Sequence, residues 1–152
     1  MIKLTDNIED IVPLWSEAFG DSREDIVFFC KNVKDAECIA YFDGDTAVSM
    51  LYLIDCTLAG KESHYVYAAS TFKKYRQNGY MSKLLEYSLY KYGDVCLIPA
   101  DEKLVDYYKK RGFAFVYGIE SLNFNQCKEL INEYLFEGCS LNNPIVLGSK
   151  GE

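Results

Sequence analysis

A strand-like run ends inside the segment YAASTFKKYRQNGYMSKLL, the chain turns, and helical spacing begins at Met81 with Leu84, Leu85 and Leu89 on one face. A helix start presents backbone N–H groups without intrahelical partners at the positive end of the helix dipole, and together these hold phosphate oxygens. Gly79 lets the backbone approach an anion that a Cβ would obstruct, and Arg76 adds a cation. The chemistry open to such a turn is phosphate binding. The plainer reading is a surface connection that holds one arginine and one glycine, so a second motif is needed to decide.

The other reactive side chains offer less. His64 is the single histidine, and a lone histidine is more often structural than catalytic. Cys30, Cys38, Cys56, Cys96, Cys127 and Cys139 show no C-x-x-C spacing, and five of them sit in apolar, strand-like or helix-like runs. These patterns predict buried, reduced thiols and no metal site.

The elements that must position the turn follow from periodicity. Ile2 to Leu4 reads as a strand, and Asp6 can cap a helix with Ile8, Ile11, Val12, Trp15 and Phe19 on one face, with Pro13 leaving its start open. Ser22 and Asp25 form a capping-box-like pair ahead of Ile26, Phe29, Cys30 and Val33. Glu37 to Phe42, Thr46 to Cys56 and Glu62 to Thr71 read as three strands split by Asp43-Gly44 and Gly60-Lys61, an antiparallel meander. The helix from Met81 and the apolar run Val95 to Ile98 complete a strand, helix, strand unit, which implies a parallel crossover. Asp101 can cap a further helix bearing Leu104, Val105 and Tyr108 that closes at Gly112, and a strand over Phe113 to Tyr117 follows. A last helical pattern runs through Cys127, Leu130, Ile131, Tyr134 and Leu135, ahead of a strand-like tail at Pro144 to Leu147. The fold class expected is α+β (α/β), with a mixed central sheet in one domain over 1–152 whose 125–152 part is atypical.

Composition narrows the partners. With 152 residues, 49% of them hydrophobic, the chain can bury one core. Sixteen Lys plus Arg against 23 Asp plus Glu, a net charge of -7, argue against nucleic acid as a partner. That balance could steer a cationic amine inward, although acidity is also ordinary for a cytosolic protein. No run is apolar over the length a bilayer requires, and the start MIKLTDNIED has neither a basic nor an apolar leader region, so no membrane role and a cytoplasmic location are expected.

The second motif is LVDYYKKRGFAFVY. With Arg76, Gly79 and Met81 on the pattern Q/R-x-x-G-x-G/A, and Tyr107, Tyr108, Lys110, Gly112 and Phe113 on a later helix end like F-Y-x-K-x-G-F, the chain resembles the general N-acetyltransferase (GNAT) superfamily from about Met1 to Phe124. The pieces FGDS, VSMLYL, YMSKLL and PADEKLVDYYKKRGF are most similar to the bacterial enhanced-intracellular-survival branch, whose members carry further domains. Met81 departs from the pattern, which has Gly or Ala there; its side chain must point away from the phosphates.

The resemblance implies acetyl-CoA as cosubstrate. It places the pyrophosphate on Arg76, Gln77, Asn78, Gly79, Tyr80 and Met81, and the pantetheine on backbone groups of Ala69, Ser70 and Thr71. Tyr108 would be the general acid that protonates the departing thiolate; the competing reading is a tyrosine packed on an amphipathic helix. Histone-acetylating relatives have a glutamate base where Tyr65 stands, and His64 faces the other side of the strand, so the base stays unassigned. The acceptor implied is an amine-bearing small molecule or protein, and a homodimer is left open. Two other readings compete: a non-catalytic acyl-CoA sensor, and a truncated partner subunit of a larger transferase.

Overall fold

The computed structural model describes residues 1–136 and 139–151 and has an α+β fold with helices on both faces of a mixed sheet. In chain order come β1 (Ile2–Thr5), α1 (Ile8–Phe19), α2 (Arg23–Asn32), β2 (Ala36–Asp43), β3 (Thr46–Leu58) and β4 (Lys61–Thr71). Then follow α3 (Tyr80–Tyr92), β5 (Val95–Leu97), α4 (Glu102–Lys109), β6 (Phe115–Gly118), β7 (Leu122–Phe124), α5 (Lys128–Tyr134) and β8 (Ile145–Gly148). The strand order is β1-β2-β3-β4-β5-β8-β6, with β7 paired to β3 where β2 has ended. β4 and β5 run parallel and the other pairs are antiparallel, as the meander and crossover predict.

Local boundaries differ in small, explicable ways. Asn7, not Asp6, caps α1, its side chain accepting the Glu9 N–H at 3.0 Å. The two residue types cap equally well, and Thr5, still paired with Cys38, delays the turn out of β1. Pro13 stays inside α1 on its exposed side, leaving the Glu9 carbonyl without an intrahelical donor. The first hairpin turns on Gly44-Asp45 because Asp43 still pairs with Thr46 and Gly44 takes the positive φ of 62°. β7 had no signal in the sequence; its three residues are too few to show a period.

Two cores flank the sheet. Met50, Tyr52, Ile54 and Cys56 of β3 face α1, α2 and α5, while Leu51 and Leu53 face α3 and α4. β3 is buried on both sides, which is why it reads as one continuous apolar run. On the α1 side Trp15, Phe29, Tyr52 and Tyr67 interlock with ring centroids 5.0 to 6.2 Å apart, each such pair contributing about 0.5–1.5 kcal/mol beyond burial. The sequence left open how the sheet closes. β8 answers it by inserting between β5 and β6, with Val146 and Leu147 both fully buried. Among the described residues no helix is long and apolar enough to cross a membrane.

Candidate functional site

The site begins where two strands part. β4 and β5 pair only at His64 with Val95 and at Tyr65 with Cys96. Beyond that point Ala68 and Ala69 together oppose Leu51, a bulge with Ala68 at a φ of +55°. An extra residue bends a strand and adds twist, which turns β4 away from its neighbour. On the other side Pro99 follows β5 and has no N–H for the ladder. The gap is a cavity of about 270 Å³ that passes through the sheet. Tyr65, Tyr67, Trp15 and Phe19 line its α1 side, and Val66, Leu97 and Tyr108 its α3 and α4 side.

A second cleft, of about 570 Å³, lies beside this gap over the start of α3. Asn7, Ser22 and Asp101 cap α1, α2 and α4, but no side chain caps α3. The chain enters α3 through Gln77 at φ +68° and Gly79 at φ +78°, left-handed positions that turn the backbone sharply. Nothing lies within 4 Å of where a Gly79 Cβ would stand, so the space in front of it is open. Arg76 reaches back along the turn, its Nε donating to the Thr71 carbonyl at 3.2 Å, and the Asn78 side chain donates to the Tyr75 carbonyl at 2.9 Å. Ala69, Ser70, Thr71, Arg76, Gln77, Gly79, Tyr80 and Met81 all line this cleft. Asn78 braces the turn from outside the lining, and Tyr80 stacks on Tyr41 at 4.3 Å. Met81 also packs against the α3-side core, which turns most of its side chain inward.

Tyr108, Ala69 and Phe19 line both cavities. Tyr108 therefore stands at the junction, and burial first, then Tyr107 and Asp101, push its phenol up to about 12. Gly112, at φ +102°, ends the α4 turn and brings the Phe113 N–H to the Tyr108 carbonyl at 3.1 Å, sinking Phe113 into the core. That is the structural work of the Gly-Phe pair. Tyr65 is 3% exposed and its phenol is raised well above the ordinary value, chiefly by burial, so it holds its proton. His64 points the other way, with Nδ1 3.0 Å from the Asp94 carbonyl oxygen and Nε2 3.6 Å from an Asp55 carboxylate oxygen. Among the described residues no cluster could hold a metal ion.

Arg111 also lines the cleft, without a sequence motif that marks it. Its guanidinium lies 3.5 Å over the Tyr107 ring, its Nε donates to Ser82 Oγ at 3.2 Å, and it brings a second cation to the cleft at α3. The available signal was its spacing, four residues after Tyr107, which folds it back onto that residue's carbonyl just past the end of α4. A cleft with an uncapped helix start and two arginines can hold a phosphorylated ligand, and the cavity behind it can hold that ligand's uncharged end.

The model of the acetyltransferase (GNAT) domain family matches residues 3–116. An acetyltransferase of Bacillus subtilis solved in complex with CoA is similar over 99% of this chain and 98% of its own, with a TM-score of 0.66 at 11% identity. A GNAT family acetyltransferase from Elizabethkingia anophelis with acetyl-CoA bound is similar over 99% and 97%, with a TM-score of 0.65 at 13% identity. A conserved protein of unknown function from Enterococcus faecalis V583 aligns with 71% of this chain but only 31% of its own, with a TM-score of 0.56 at 13% identity. At such identities the likeness is one of fold. Comparison with curated proteins gave no match.

Proposed function

This chain belongs to the GNAT acetyltransferase family, and on that footing we propose that it is an N-acetyltransferase moving an acetyl group from acetyl-CoA to a primary amine of a small molecule or protein. The observation that carries the reading is that Tyr108, with Phe19 and Ala69, lines both a phosphate-suited cleft and an uncharged pocket. The α3 N–H groups, Arg76 and Arg111 hold the pyrophosphate, and the strand edge at Ala69, Ser70 and Thr71 guides the pantetheine, as an added strand would be guided. Tyr108 then meets the thioester sulfur and donates to it as the C–S bond breaks. We place the protein in the cytoplasm, where thiols such as its six free cysteines stay reduced.

Binding to the native state alone stabilises by about 2.7 kcal/mol at a hundred times the dissociation constant, which for this size is a rise in Tm of about 5–10 °C. Differential scanning fluorimetry with acetyl-CoA, CoA and plain nucleotides tests this. Silence toward both thioester and thiol at millimolar concentration would remove the acetyltransferase reading.

A further inference from the structure

Resting on that acetyltransferase reading, we infer that the acceptor is a weakly basic, apolar amine of the arylamine kind, bound neutral on the α1 side of the through-sheet cavity. Trp15, Phe19, Tyr65, Tyr67, Ile98 and Leu135 wall that side, and among the described residues no acidic, basic or imidazole side chain lines the cavity. An ammonium entering there sheds its hydration against no counter-charge, which is costly. An aromatic amine instead buries its ring among rings.

Proton supply points the same way. Tyr65 holds its proton, and His64 is engaged with Asp94 and Asp55 on the other side of the strand. A cationic amine must therefore arrive already deprotonated, and an alkylammonium with a pKa of ~10.4 is neutral in only about one molecule in 2,500 at pH 7. A weakly basic amine is neutral throughout. Its nitrogen bonds to the thioester carbon, the C–S bond breaks, and the sulfur takes one proton from the Tyr108 hydroxyl. The nitrogen, made acidic in the intermediate, releases one proton that refills Tyr108. One proton leaves nitrogen and one arrives on sulfur, so no further base is required.

The test compares kcat/KM at pH 7 for an aniline-type amine, an arylalkylamine of equal size, a lysine peptide and an aminoglycoside, using the full chain and acetyl-CoA. The arylamine is expected to lead each charged amine by at least tenfold, with a flat profile from pH 6 to 9, while the arylalkylamine rises about tenfold per pH unit. Leu104→Glu puts a carboxylate into the cavity at the third position of α4, where an acidic residue suits the helix start, and should narrow the arylamine lead about tenfold. A faster lysine peptide or aminoglycoside at pH 7 overturns the inference. So does a Tm shift with acetyl-CoA but no acetylation of the arylamine, whereas absence of that shift strikes the acetyltransferase reading itself.

Discussion

At the scale of single residues, Tyr108 and Tyr107 sit side by side with different surroundings. The Tyr107 hydroxyl is 2.5 Å from Ser82 Oγ under the Arg111 guanidinium, whereas the Tyr108 phenol looks into both cavities. At about 12, Tyr108 stays protonated through the working pH range, but it is a weaker acid than a thiol near ~8.5. In the proposed reaction its proton transfer to the leaving sulfur is therefore uphill and depends on the refill from nitrogen, so its removal belongs at the low end of the ~10² to 10⁴ range for general acids. Steady-state kinetics should show Tyr108→Phe losing about 10²-fold in kcat with the KM for acetyl-CoA nearly unchanged. Tyr107→Phe should instead raise that KM with kcat held, because it loosens Ser82 and Arg111 beside the anion cleft. Equal, small losses in both variants would return Tyr108 to a packing role.

At the scale of elements, the turn into α3 and the bulge in β4 are the two devices that open the site. Gly79→Asp places a carboxylate in the open space before the uncapped α3 N–H groups, and aspartate is among the few side chains that tolerate the left-handed conformation. The variant should stay folded and lose the acetyl-CoA shift in Tm; Arg76→Ala, which keeps the turn and Arg111, should lose only part of it. Undiminished binding by the aspartate variant would mean that the phosphates lie elsewhere. Ala68, at φ +55°, holds the bulge that parts β4 from β5. A β-branched residue there is a conformational outlier, so Ala68→Val should cost about 1–3 kcal/mol in urea unfolding. Ala68→Gly should be nearly neutral, because relief of the backbone offsets the added chain entropy.

At the scale of the whole molecule, buried phenols tie the fold to alkaline pH. Burial is the leading cause that raises Tyr52, Tyr65 and Tyr108, the last to about 12. Unfolded tyrosine titrates near ~10. A folded pKa above that value means the stabilisation is complete below pH ~10 and is lost as pH climbs toward the folded pKa. Burial also raises the thiols of Cys30 and Cys38, whose unfolded value is ~8.5. Scanning calorimetry should find Tm level up to about pH 8, declining above it as unfolded thiols ionise, and falling further by about pH 11 in step with phenolate absorbance; an unchanged Tm at that pH contradicts the assignment. Features that depend on neighbours along the chain were legible before the fold was known: the helix faces, the capping Ser22 and Asp101, the hairpins, the glycine turn at Gly79 and the Gly-Phe end of α4. Backbone φ limits and short spacings decide those features, and both are visible in a few consecutive residues. The insertion of β8 between β5 and β6, the bulge at Ala68 and Ala69, the arrival of Arg111 at Ser82, and the uncharged wall shared by Trp15, Tyr65 and Leu135 emerge in the packed fold alone. Those features join residues far apart in the chain, and they are set by how both faces of one sheet pack at once, which leaves no local period to read.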